Sequence, residues 1–462
     1  MKATTFIAAA FALPLCAAGG YSFDAGADLR IRQEIVRNAP QLPGGGMTGR
    51  PGANRGKTKN QMRFRPRVWA ELKAGEKWRL YGRLCDEFRA GIVQSTHATT
   101  WPGEVVVDNL FVEGKNLFED SFDWLDGVDI VAGRQDLYRL YGLDHVFVDG
   151  TAGDGSRSTY ADMVRLAMRF DETTRLDLFA LYNRDREYMR LGTHRSFENV
   201  QLTGFGGNET EMDDWGFGAV FSSKSFDIVD LQLFAIQKNT ASFHRRGVKH
   251  PRRQVNLFGT KLVPWWTENF STPLELMAQV GENGADESLR AWAAYAGFSW
   301  KRNDLPDGAW KPFASAGLLA LSGDRDAATE DGGRHGWDPM WYRGVDDSEM
   351  MLYGTTYGVG WWSNMYNLKA TAGVEFSRHH AARLMAGPMF AQEKDGLGGG
   401  DGMYKGFLAQ GRYDFPILIA DKDKGERFEI FGHFLVEWFS PGDYFDTDKP
   451  AWFARWQIDF SF

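Results

Sequence analysis

Residues 451–462 read A-W-F-A-R-W-Q-I-D-F-S-F. One parity carries Trp452, Ala454, Trp456, Ile458, Phe460 and Phe462; the other carries Phe453, Arg455, Gln457, Asp459 and Ser461. Successive side chains of an extended backbone leave opposite faces, so a period of two means a β-strand. One face here is aromatic and aliphatic throughout; the other is mixed and charged. A strand on a soluble sheet shows the same alternation, so the rest of the chain decides what the apolar face meets.

Working outward from that strand, alternation and turn residues mark about eighteen strands. They are 21–36, 61–74, 77–90, 104–116, 126–134, 160–170, 173–183, 214–224, 228–238, 253–264, 272–282, 290–301, 310–322, 366–377, 381–393, 403–415, 425–440 and 451–462. Connections after odd-numbered strands are long: 37–60, 91–103, 135–159, 184–213, 239–252, 323–365, 394–402 and 441–450. Those after even-numbered strands are short, as at Gly75-Glu76, Asp171-Glu172, 225–227 and Arg378 to His380. A soluble sandwich has no reason to put its long loops at every other connection. A bacterial outer-membrane barrel does, with short turns on the periplasmic side, long loops outside and an even strand count. The predicted fold class is therefore all-β: a transmembrane antiparallel up-and-down barrel of about eighteen strands.

Composition is compatible with that reading without deciding it. Mean hydropathy is −0.40, which suits strands that keep one face toward a polar lumen. Aromatic residues at 14% and 53 glycines supply girdles, bends and tight turns. The net charge of −8 implies no nucleic-acid partner. Met1-Lys2, an apolar run through Leu15 and Cys16-Ala17-Ala18-Gly19-Gly20 form a signal peptide over 1–19. Its removal leaves 20–462 as one outer-membrane barrel domain with long extracellular loops, and leaves Cys85 without a disulfide partner. After the signal no apolar run reaches the roughly 20 residues of a membrane helix.

Strand 61–74 reads Q-M-R-F-R-P-R-V-W-A-E-L-K-A. Met62, Phe64, Pro66, Val68, Ala70 and Leu72 share one face; Gln61, Arg63, Arg65, Arg67, Trp69, Glu71 and Lys73 share the other. An arginine facing lipid at mid-depth costs roughly 2–4 kcal/mol, so the arginine face must point inward. On the next strand Arg79, Arg83, Glu87 and Arg89 lie inward behind Trp78, Leu80, Leu84 and Phe88; further on, Arg165 and Arg169 do the same. Guanidinium groups crowded along an aqueous path suit an anionic passenger, because each can hold a carboxylate through two parallel hydrogen bonds. Rings of charge lining a pore set its selectivity. The competing reading is that these arginines pair with Glu71, Glu87 and Asp177 and merely brace the barrel. The chain then reads as a passive channel for anionic solutes, or alternatively as a nonspecific or structural barrel with adhesive loops.

Other features carry less. The basic segment from His244-Arg245-Arg246 to Arg252-Arg253 reads as a solvated loop within reach of lipopolysaccharide. Asp324, Asp326, Glu330 and Asp331 lack the Gly and Glu spacing of a calcium loop. Trp265-Trp266 and Trp361-Trp362 suit membrane interfaces. Neither G-x-S-x-G nor H-E-x-x-H occurs, so no enzyme, metal or cofactor is expected.

Two resemblances add to this. A terminal aromatic such as Phe462 resembles the signal by which outer-membrane barrels engage their assembly machinery. Residues 132–142, A-G-R-Q-D-L-Y-R-L-Y-G, and 155–166, G-S-R-S-T-Y-A-D-M-V-R-L, resemble the alginate export family of outer-membrane proteins. The matching positions are Gly133, Arg134, Gln135, Tyr141, Gly142, Arg157, Asp162 and Arg165. Trp337-Asp338-Pro339-Met340 with Tyr353-Gly354 is a second echo. The resemblance implies an eighteen-stranded barrel with a positively lined pore for a polyuronate, and adds Arg134 to the candidate pore-lining set. Implied partners are an anionic saccharide or other small anion, membrane lipid and lipopolysaccharide, and the assembly machinery through Phe462.

Overall fold

The computed structural model describes residues 20–38, 58–93, 105–119, 121–137, 140–143, 145–146, 160–183, 189–191, 213–245, 248–250, 252–284, 287–306, 308–325, 335–341, 348, 363–421 and 425–462. The signal-peptide segment 1–19, Arg157, Asp326, Glu330, Asp331 and Trp361-Trp362 lie outside the described residues.

Eighteen antiparallel strands form one closed barrel. In chain order they are β1 (Tyr21–Arg37), β2 (Thr58–Ala74), β3 (Trp78–Cys85, continued as Phe88–Val93), β4 (Val105–Leu117), β5 (Gly127–Asp136) and β6 (Tyr160–Arg169). Next come β7 (Thr174–Asn183), β8 (Asp214–Phe226), β9 (Val229–Thr240), β10 (Arg253–Thr267), β11 (Phe270–Ser271, continued as Leu274–Asn283) and β12 (Ser288–Lys301). The last six are β13 (Lys311–Leu321), β14 (Met365–Ser377), β15 (His380–Phe390), β16 (Tyr404–Leu418), β17 (Glu429–Pro441) and β18 (Ala451–Ser461). Each predicted strand has its counterpart here, displaced at its ends by a few residues. Closure is made by β18 against β1, from Asp28↔Ser461 to Arg37↔Trp452. Closure leaves no free sheet edge, as a hydrocarbon surrounding demands.

Facing follows the pleat. Val68, Leu384 and Val436 are 51%, 71% and 56% exposed on the outer face, while Arg32 on the inner face is fully buried. Short turns mostly alternate with long connections as expected; the turn-side links 118–126, 302–310 and 419–428 are longer than the others, and one link on the loop side is short. The β11–β12 connection is only residues 284–287, on the long-loop side. The space there is taken by residues 335–341 of the β13–β14 connection: His335 Nδ1 lies 3.3 Å from the Arg290 carbonyl. Trp265 and Trp266 end β10 at a short turn, both exposed. Part of the basic loop forms a small hairpin, Phe243–Arg245 with Val248–His250.

The interior is not uniformly polar. Leu137, Leu140, Leu143 and Val146 after β5, and Trp337, Met340 and Trp341 before β14, are buried against inward Phe179, Phe234, Leu257, Met277 and Leu319. Two loop segments therefore fold into the barrel, each covering an apolar inner wall.

Candidate functional site

The two inward segments are fastened to neighbouring strands. Gln232 Nε2 on β9 donates to the Tyr141 carbonyl at 2.9 Å, and Lys261 Nζ on β10 to the Gly142 carbonyl at 2.8 Å. His145 Nδ1 stands 2.6 Å from Glu275 Oε2 on β11. The second segment is held by Lys238 Nζ on β9, which donates to the Met340 carbonyl at 2.6 Å, and by Gln279 on β11, which exchanges two 2.8 Å hydrogen bonds with the Asp338 backbone. Arg253 on β10 pairs with the Asp338 carboxylate at 2.6 Å. Both plugs thus rest on β9–β11.

Burial alone would raise the Asp338 carboxyl, but the Arg253 and Lys238 charges and the Met340 amide outweigh it and hold it below the usual 3.8. A depressed carboxylate contributes stability above the unfolded pKa of about 3.9 and loses it as pH falls through the folded value. Single-channel conductance is therefore expected to stay level from neutral pH down to about 4 and to rise only below that. Asp338→Asn should remove the acid step.

The space left open faces the other half of the barrel. A cavity of about 660 Å³ is lined there by Arg30, Arg65, Arg67, Arg412, His433 and Gln457, among others. Its wall is built from β14–β18, β1 and β2, with Asp136 of β5, and the register of this part of the barrel sets arginine against arginine. Arg30 lies directly opposite Arg65 and Arg32 opposite Arg63; Arg63 is also opposite Arg89, and Arg383 opposite Arg412. Like charges directly across a ladder are unfavourable, by up to roughly 1 kcal/mol per pair.

Carboxylates offset most of this. Arg63 pairs with Glu34 at 3.1 Å and Glu87 at 3.0 Å; Arg67 pairs with Asp28 at 2.8 Å. Arg79 pairs with Glu71 at 2.5 Å and Glu113 at 3.2 Å, and Arg83 with Asp108 at 2.9 Å and Asp136 at 3.2 Å. Arg169 pairs with Asp129. Arg65 differs: its approach to Asp28 is stretched to 3.9 Å, and its Nε and Nη1 have no hydrogen-bond partner among the described residues.

Several sequence expectations change. Arg134 does not line the pore. It stands opposite Leu110, which is 42% exposed on the outer face, and opposite Asp162, with which it pairs at 3.0 Å. Arg134 is 3% exposed, with the Tyr160 ring 4.5 Å away, and it is not among the residues lining the cavity. Arg89 is placed by its backbone only. Arg165 does come together with the motif residues Gln135, at 3.4 Å, and Tyr141, whose ring centroid is 5.4 Å away. The basic lining is not confined to the early strands: β18 contributes Arg455, and β16 and β17 contribute Arg412 and His433. Arg30 and Arg32 were also missed, although Leu29, Ile31, Gln33 and Ile35 alternate with Arg30, Arg32 and Glu34 in plain view.

The fold is that of an outer-membrane β-barrel. OccK11 (OpdR) of Pseudomonas aeruginosa superposes with a TM-score of 0.52 at 9% identity, over 95% of this chain and 96% of that one. The Pseudomonas aeruginosa outer membrane protein OpdK gives 0.51 at 10% identity, over 95% and 99%. OccAB2 of Acinetobacter baumannii gives 0.51 at 10%, over 95% and 98%. At such identities the likeness is one of fold. No family model and no curated protein matches the chain, so the resemblance to the alginate export family rests on its short motifs alone.

Proposed function

We propose that the protein is a passive outer-membrane channel for small anionic solutes, carboxylated sugars of the uronate class included. The observation that supports this most is the register of the open wall, where two neighbouring inward positions of β1–β2 oppose Arg30 to Arg65 and Arg32 to Arg63. A lumen that needed only bracing would alternate signs at directly opposed positions and avoid the repulsion. The plugs lend further support: they block β9–β11 and leave the passage along the guanidinium groups. Confined between low-dielectric walls, those charges act on a passing anion more strongly than in bulk water. A cavity of about 660 Å³ suits a small solute or a short acidic oligosaccharide.

Planar-bilayer recording tests the reading. The wild-type channel is expected to pass chloride over potassium and to be blocked by oligouronates. Reversing Arg63, Arg65 and Arg83 together to glutamate should turn that preference toward cations. A cation-selective wild-type channel that uronates do not block would sink the proposal. An unchanged permeability ratio in the triple variant would favour a structural barrel with adhesive loops.

A further inference from the structure

Independently of what the lumen passes, we infer that the outer wall of β9–β12, just below the loops, docks the phosphorylated glucosamine headgroup of lipopolysaccharide. Outward positions there are not the apolar ones a lipid-facing wall calls for. Phe217 on β8 lies opposite Gln237 on β9, Gln237 opposite Asn256 on β10, Asn256 opposite Val280 on β11, and Val280 opposite Arg290 on β12. Phe217 and Val280 are exposed, so this row faces out of the barrel. The next row toward the loops sets Asn239 opposite Gln254 and Gln254 opposite Glu282. Toward the membrane centre the same strands turn apolar, with exposed Leu233, Phe258, Leu276 and Trp292. Trp292 stands two residues deeper than Arg290, and such aromatics mark the border between hydrocarbon and headgroups. The amides and Arg290 therefore lie at headgroup depth, and in the outer leaflet because the long loops are outside. On β14–β15 and β17–β18 the loop ends are aromatic instead, with Tyr366 opposite Phe390 and Trp438 opposite Trp452.

Hydrogen bonds join these side chains into one surface. Gln237 Nε2 donates to Asn256 Oδ1 at 2.8 Å, Asn239 Nδ2 to Gln237 Oε1 at 3.3 Å, and Asn256 Nδ2 to the Val280 carbonyl at 3.2 Å. Arg252, where the loop enters β10, donates to Asn239 Oδ1 at 3.4 Å and lies 5.9 Å from the Trp215 ring. Arg252 and Arg290 are both exposed, and neither meets a carboxylate among the described residues. A phosphate supplies the missing counter-charge through parallel hydrogen bonds. The two arginines belong to strands two apart, about 10 Å at the spacing of neighbouring strands, so they suit two separate phosphates. Between them the amide row donates to and accepts from sugar hydroxyls and N-acyl groups, and Glu282 accepts from a hydroxyl. A phosphatidylglycerol headgroup carries one phosphate and no ring to span that row. The β9–β10 connection above the patch continues the positive charge in sequence, with Arg245 and Lys249 in its hairpin.

Native mass spectrometry of the full-length barrel in detergent tests this, with diphosphoryl lipid A, monophosphoryl lipid A and phosphatidylglycerol as probes. The wild type is expected to bind diphosphoryl lipid A tightest, the monophosphoryl form more weakly and phosphatidylglycerol weakest. Arg252→Ala combined with Arg290→Ala should weaken binding of diphosphoryl lipid A by about tenfold or more and level its preference over the monophosphoryl form. Gln237→Leu combined with Asn256→Leu should weaken both lipid A forms and leave phosphatidylglycerol unchanged. Arg302→Ala, on a turn at the periplasmic end, should shift none of them. Heat-modifiable gel mobility of each variant verifies a closed barrel. Equal binding of diphosphoryl lipid A by the wild type and the double arginine variant would overturn the inference, as would phosphatidylglycerol binding just as tightly. A lipid-free dimer that the Gln237→Leu, Asn256→Leu variant dissolves would assign this face to a second copy of the chain and overturn it as well. The selectivity recorded in planar bilayers is a separate readout, so the channel reading stands or falls apart from these results.

Discussion

Replacing Glu34 with Gln is expected to destabilise the barrel by about 3–5 kcal/mol, the cost of stripping a buried ion pair of one partner. The carboxylate is fully buried; Arg63 Nη1 donates to it at 3.1 Å and Arg455 Nη2 at 3.3 Å, and Arg32 Nε lies 2.8 Å away as an ion pair. Gln61 Nε2 adds a third donor at 3.0 Å. These partners come from β1 itself, from β2 and from β18, so the carboxylate sits at the seam where the chain's two ends close the barrel. The amide preserves the shape but removes the charge that three guanidinium groups share. Urea unfolding in detergent measures the loss as a lower midpoint at unchanged slope. Glu113→Gln is the comparison: that carboxylate is part-exposed beside Arg79 and Lys115, and its loss should cost no more than about 1 kcal/mol. If both variants unfold at the same midpoint, the seam is held by its backbone ladder and the buried cluster is incidental.

The same cluster shows what was legible in the sequence. Strand number, strand facing and the loop alternation depend on a period of two and on local turn residues, both of which are local signals. They lead directly to eighteen strands with Arg63, Arg65, Arg67, Arg79 and Arg83 inside. Glu34 and Arg455 are 421 positions apart, and which carboxylate meets which guanidinium follows from register between strands. Register is a long-range property. It separates Arg65, whose approach to Asp28 is 3.9 Å, from Arg63 one step along, which pairs with Glu34 and Glu87, although the two read alike on a page. Arg134 depends on the same long-range property: register across β5–β6 sets it opposite Asp162, whose carboxylate engages it away from the cavity.

The inward segments were illegible for a different reason. Residues 137–146 have no periodicity, and their leucines read equally well as a loop crossing the rim. Only the apolar inner faces of Phe179, Phe234, Leu257 and Met277 explain where those leucines go, and such faces look anomalous in a water-filled lumen until a plug covers them. Gly133 offered one hint. Its φ of +129° and the closeness of the Leu110 carbonyl exclude a side chain at this point of β5, four residues before Leu137.

Glu275→Ala is expected to release the first plug and raise single-channel conductance. Glu275 is 3% exposed and links His145 on the plug, at 2.6 Å, to Lys261 on β10, at 3.1 Å, while Lys261 also holds the Gly142 carbonyl. Truncation removes the shared acceptor and leaves the Lys261 ammonium without its carboxylate, a change worth about 3–5 kcal/mol when the pair is buried. Docking of a short loop draws on fewer contacts than the barrel does, so a loss of that size should fall on the plug before the wall. Far-UV circular dichroism, which reports the strand ladders, should stay as it is while conductance and current noise increase. Glu275→Gln keeps two hydrogen bonds without the charge and should fall between the two. A conductance unchanged in Glu275→Ala would mean that Leu137, Leu140, Leu143 and Val146 hold the plug by burial alone, and the ion pairs would then act as register pins rather than as the latch.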